Sequence, residues 1–170
     1  MAPRQEPSRT GEPMWSRQER AVKSREAGAE LKSLLVPVDG SPESMKAVEF
    51  ACGLAKRNKG KVHVVHVIEV KRSLPLDAEL VTEALRGEEI LDEAEKIAKR
   101  NDLEVEGDLL QAREAGHAIV DEASERGVDA IVVGVPFSRP FGEFELGRVP
   151  AHILKNAACQ VILLRMPLEQ

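Results

Sequence analysis

Five apolar runs punctuate the chain at intervals that leave room for one helix between each pair. They are "LLVPV" (34–38), "KVHVVHVIEV" (61–70), "LEVEGDLLQ" (103–111), "DAIVVGV" (129–135) and "QVILLR" (160–165). The first and fourth are apolar throughout, as strands buried on both faces are, whereas the third alternates Leu103, Val105 and Leu109 with Glu104, Glu106 and Asp108 and keeps one side wet. The intervening stretches change period. "SPESMKAVEFACGLAKRN" begins with Ser41 as an N-cap and Pro42 in the first turn, and sets Met45, Val48, Cys52 and Ala55 on one helical face. A long helical stretch over 77–101 is open to interruption at Gly87, and shorter helices are expected over 116–127 and 150–158.

Strands alternating with helices predict parallel pairing with right-handed crossovers. The half-polar third strand belongs at an edge, which gives an open five-stranded parallel sheet in the order 3-2-1-4-5, helices on both faces, an α/β fold of Rossmann-like type. Pro37 lacks a ladder donor, and its place near the end of its strand limits the damage. In this order the chain leaves strands 1 and 4 in opposite directions, so the crevice at their carboxyl ends is the expected ligand site. Its walls are "DGS" (39–41) and the loop "GVPFSRPFGEFELGRVP" (134–150).

"MAPRQEPSRTGEP" is Pro-rich, polar and without period, and Trp15, Val22 and Leu31 form no continuous apolar stripe. Residues 1–32 are therefore expected to be a flexible charged tail, with the domain over 33–167 and a short C-terminal end at 168–170. The composition, 42% hydrophobic and 31% charged, is that of an ordinary globular domain, and no apolar run approaches the roughly 20 residues of a membrane span. Without a signal-peptide apolar core, a cytoplasmic location is expected. Residues 1–33 hold seven basic and five acidic residues, which leaves −7 on the remainder, and that acidic body argues against nucleic-acid binding.

No catalytic constellation emerges. His63 and His66, three apart on a strand, point to opposite faces and cannot share a metal. His117 and His152 lack an orienting acid with the spacing of a motif, no GxSxG, GxxxxGK[ST] or HExxH is present, and Cys52 and Cys159 read as separate buried thiols. The protein is not expected to be an enzyme, since a hydrolase would need a positioned base or metal.

"LLVPVDGSPESMKAVEFACGLAK", "AGHAIVDEASERGVDAIVVG" and "GRVPAHILKNAACQVILLR", in that order, resemble a universal stress protein domain over about residues 32–166. The resemblance implies a stress-response regulatory module, homodimeric through strand 160–165, with a site for ATP or AMP in the branch that keeps Gly, two residues, Gly, nine residues and Gly followed by Ser or Thr. On this chain the first and third glycines are Gly134 and Gly147, while the second falls on Phe137 and the hydroxyl residue on Arg148, so the site is expected to be degenerate. The implied site comprises Val38, Asp39, Gly40 and Ser41 on one wall, Val67 from strand 2, and Gly134, Val135, Arg139, Gly142, Gly147, Arg148 and Val149 on the other. Arg139 and Arg148 are candidate phosphate forks, opposed by Glu143 and Glu145. The rival expectation is a protein-interaction module that binds no nucleotide and uses the Phe-rich loop 137–144 toward an unknown protein partner.

Overall fold

A computed structural model describes residues 31–167; Trp15 and the rest of segment 1–30 lie outside the described residues, as do 168–170. The element order is β1 (Ser33–Pro37), α1 (Pro42–Asn58), β2 (Lys61–Glu69), α2 (Val81–Arg100), β3 (Val105–Ala112), α3 (Ala115–Arg126), β4 (Ala130–Val135), α4 (Arg148–Asn156) and β5 (Gln160–Arg165). The five strands form one parallel sheet in the order β3-β2-β1-β4-β5. Strand parity divides the core in two. Leu34 and Val36 face α1 and α2 together with Met45, Val48, Ile90 and Leu91. Leu35, Val65, Ile131 and Val133 face α3 and α4 with Ile119 and Ile153.

Packing begins two residues before the expected boundary. Asn58 Nδ2 donates to the Leu31 carbonyl at 3.0 Å, and the Asp129 carboxylate accepts the backbone N–H groups of Lys32 and Ser33 at 3.0 and 2.9 Å, fastening the start of β1 to the start of β4. Two helices differ from the pattern-based expectation. α2 runs unbroken through Gly87, because a Cβ there would stand 2.5 Å from Leu109 Cδ1 and 2.9 Å from His66 Cδ2; the glycine serves close helix–sheet packing instead of a break. α4 starts at Arg148, before Pro150, since a proline in the first turn forfeits no intrahelical bond.

One contact is tighter than any side chain permits. A Cβ on Gly134 would lie 2.0 Å from the Glu43 carbonyl oxygen and 3.0 Å from the Ser44 nitrogen, so the first turn of α1 rests directly on the backbone of β4. At the opposite end of the sheet, the wet side of β3 is answered by Arg126 of α3. Its guanidinium reaches Asp108, Glu122 at 2.5 Å and the Nδ1 of His63 at 2.9 Å. His63 Nδ1 also lies 3.1 Å from Glu106 Oε2, so it accepts from Arg126 when the neutral ring is protonated on Nε2 and donates to Glu106 when Nδ1 carries a proton. His63 is almost fully buried on β2, and burial first, then the Arg126 charge, holds its imidazole below the ordinary histidine range against the opposing pull of Glu106.

Two predictions follow from these contacts. Gly134→Ala is expected to cost about 3 kcal/mol or more, because backbone has to yield. Gly142→Ala, at φ +84 in open space, should cost only about 1 kcal/mol, and thermal denaturation of the pair checks the contrast. For His63, the unfolded chain binds a proton at higher pH than the folded one. Stability is therefore expected to decline as pH falls below about 6.5 and to stop declining on this account below the folded-state value. His63→Gln should remove that component from the melting temperature plotted against pH, and an unaltered profile would exclude His63 as its source.

Candidate functional site

Where β1 and β4 part company, a cavity of about 530 Å³ opens at their carboxyl ends. Val38, Asp39 and Ser41 with the first turn of α1 make one wall, Gly134 and the chain from Gly147 to Pro150 make the other, and Val65, His66 and Val67 of β2 lie beneath. The apolar walls suit a planar ring, and the polar groups collect at the two helix starts.

Asp39 is fixed by its own turn. Its Oδ1 accepts from the Ser41 N–H at 2.9 Å and from the Ser41 hydroxyl at 2.5 Å, while the Asp39 N–H donates to Ser44 Oγ at 3.4 Å. Partial burial pushes the carboxyl up, but the hydrogen bonds from Ser41 and Ser44 outweigh that and hold it below the ordinary aspartate range, so it is an anion at neutral pH. Ser41 also caps α1, its Oγ accepting the Ser44 N–H at 3.2 Å. Behind Asp39, His66 Nδ1 stands 2.7 Å from the Val38 carbonyl. A carbonyl only accepts, so Nδ1 carries the proton, and the ring locks the strand end that presents Asp39. The Val38 N–H, bonded to the Val65 carbonyl at 2.8 Å, completes the clamp.

The other wall is the start of α4. Gly147 is the N-cap residue and contributes no side-chain cap, so the N–H groups of Arg148 and Val149 have no intrahelical acceptor. Nothing stands closer than 3.6 Å to the place of a Gly147 Cβ, which leaves this helix start approachable. The Arg148 guanidinium extends into solvent, 3.6 Å from Glu69 Oε2.

Of the residues expected at the site, Val38, Asp39, Ser41, Val67, Gly134, Gly147, Arg148 and Val149 line the cavity. Gly40, Val135, Arg139 and Gly142 do not. Gly40 makes the turn at φ +86, with Ile90 beside it. Val135 is buried in the core with Ile131 and Ile153. Arg139 donates to the Gly142 carbonyl at 3.0 and 2.6 Å, closing a turn in which Gly142 takes φ +84. Phe137, at the lost glycine, does not obstruct the cavity either. Its ring stacks on Phe144 at 5.9 Å with the Arg165 guanidinium 4.8 Å above it, beside β5. Sequence reasoning missed His66, Glu43, Ser44 and the approach of Ile119 from α3. A polar residue near the carboxyl end of a central strand was the available sign for His66.

Among the described residues, no cluster of three or more His, Cys, Asp or Glu is arranged to hold a metal ion. The lining is acidic, with Asp39, Glu43 and Glu145 against Arg148.

Comparison with known proteins accounts for this arrangement. A universal stress protein of Methanocaldococcus jannaschii is 30% identical over 142 residues, 80% of this chain and 83% of that one. The solved universal stress protein of Archaeoglobus fulgidus superposes with a TM-score of 0.68 at 26% identity, over 78% of this chain and 97% of its own. A structure of an Archaeoglobus fulgidus universal stress protein in complex with dAMP gives a TM-score of 0.63 at 25% identity, over 79% and 98%. The family model matches residues 30–165, and with the sheet order, the crevice and the Asp39 turn all in place, the chain belongs to the universal stress protein family.

Proposed function

We propose that the cavity between β1 and β4 binds an adenine nucleotide and that the protein acts as a cytoplasmic regulatory module in the stress response associated with its family. The observation that carries this reading is the pairing of a hydrogen-bonded, ionised Asp39 on one wall with the uncapped start of α4 on the other. Asp39 accepts from an exocyclic amine or a ribose hydroxyl; the Arg148 and Val149 amides, with the Arg148 guanidinium, take phosphate. The dAMP-bound Archaeoglobus relative supports the ligand class. Binding without turnover is the reading favoured here, because an aspartate held below its usual range is a weak base at neutral pH, and the Nδ1 proton of His66 is committed to a carbonyl. Among the described residues no helix is long and apolar enough to cross a membrane. The interaction-module alternative draws on Phe141, 85% exposed at the loop tip.

The proposed assembly is a homodimer through β5. Among the described residues that strand pairs only with β4 and leaves an open edge, and Val161, Ile162, Leu163 and Leu164 are half-buried on both of its faces. An open apolar edge invites pairing, and a two-fold axis satisfies it with a second copy.

Calorimetric titration with AMP should show binding, and Asp39→Ala should weaken it roughly ten- to hundredfold, the range for a hydrogen bond to a charged group. AMP affinity unchanged by Asp39→Ala would remove the first wall from the reading, and absence of binding would favour the Phe-rich loop. For the assembly, sedimentation velocity of Val161→Asp should show monomer with a retained circular dichroism spectrum. An intact dimer in that variant would remove β5 from the interface.

A further inference from the structure

Three helix N-termini converge on the cavity, and at two of them a first-turn amide is already taken by a side chain of the protein itself. At α1 the Ser41 hydroxyl accepts the Ser44 N–H, and the space at Gly134 is filled by the Glu43 backbone, so the first motif glycine does not open a phosphate slot. At α3 the N-cap Glu114 makes no side-chain cap, but the Glu69 carboxylate accepts the Ala115 N–H at 3.0 Å, so that helix start already faces the protein's own anion. Of the three, α4 is the one with no side chain accepting from its first turn. With Pro150 in its first turn lacking an N–H, it offers the amides of Arg148 and Val149 and no third donor before Ala151, whose N–H is bonded to the Gly147 carbonyl at 3.1 Å.

The charges point the same way. Arg139, the other cation of the loop, is turned to Gly142 and does not line the cavity, while Glu43 and Glu145 do. One uncapped helix start and one guanidinium partly engaged by Glu69 match a single phosphate group. A triphosphate would extend its further charge past the Glu43 and Glu145 carboxylates, with the neutral Ser138 hydroxyl and no second Lys or Arg among the lining residues to meet it.

Resting on the adenine-nucleotide reading above, we infer that the site selects adenine ligands with no more than one phosphate, AMP over ATP, and that Glu145 and Arg148 set this selectivity. The test is calorimetric titration of the full chain with adenosine, AMP and ATP in chelator-treated buffer at low and high salt. AMP is expected to bind at least about tenfold more tightly than ATP at low salt, with the gap narrowing as salt screens the carboxylates. Glu145→Gln should strengthen ATP binding severalfold and leave adenosine unchanged, and Arg148→Gln should weaken AMP and leave adenosine unchanged. The adenosine readings show that both variants retain the fold and the base site. ATP binding as tight as AMP, or Glu145→Gln without effect on ATP, overturns the selectivity while the nucleotide site stands. Failure of all three ligands to bind overturns both.

Discussion

The first turn of α1 lies so close on β4 that the Glu43 carbonyl occupies the room a side chain at residue 134 would need. Everything at the carboxyl edge of the sheet depends on that approach. β1 and β4 are neighbours whose outgoing chains turn to opposite faces, so the crevice between them is as narrow as the helix allows. With α1 seated there, its N-cap Ser41 stands at the crevice mouth, and the same hydroxyl that caps the helix donates to Asp39. Asp39 thus owes its orientation, and the extra stabilisation of its charge, to a helix cap. The cap in turn is held in place by packing against a glycine.

The opposite end of the sheet is organised by a different kind of constraint. Edge strand β3 carries Glu106 and Asp108 on the face that α3 covers, and Arg126 resolves the conflict by collecting both and reaching Glu122 and the buried His63. A partly shielded ion cluster of this sort fixes register more than it adds stability, since desolvation offsets much of the attraction. It also leaves the carboxyl ends of the strands free of it. The rigid polar network and the open cavity therefore occupy different ends of β2.

The strand order was legible because apolar runs and turn residues mark a parallel sheet directly, and the crevice follows from the order alone. What the residue pattern concealed was parity and close approach. Gly134 matches a phosphate-loop glycine, yet its missing side chain serves helix packing, and a motif does not distinguish the two uses. Val135 shares its face of β4 with Val133, yet Val133 lines the cavity while Val135 is buried in the core with Ile131 and Ile153, a difference the alternation of strand residues does not reveal. Arg139-Pro140-Phe141-Gly142 has proline and glycine where a β-turn places them, and the Gly142 N–H indeed bonds the Arg139 carbonyl at 3.2 Å. Reading that turn first would have assigned both Arg139 and Gly142 to the loop's own closure. The histidine spacing on β2 speaks only to metal ligation, whereas the contribution of His66 is a hydrogen bond donated to the Val38 carbonyl, visible only once β1 and β2 are side by side.

The loop between β4 and α4 resolves into two parts with separate tasks. Its first part folds on itself, with Pro136, Ser138 and Pro140 against the cavity rim and the aromatic rings turned elsewhere: the Arg139 turn closes, Phe137 and Phe144 stack, and Arg165 of β5 covers the stack. Its second part, Glu145 to Pro150, returns to the crevice and delivers the start of α4. Phe137 sits in the first part, where its ring has Phe144 and Arg165 as partners and is not among the residues that line the cavity. Replacement of the hydroxyl residue by Arg148 falls in the second part and changes what the helix start can hold, exchanging a short neutral donor for a long cation that Glu69 already shares.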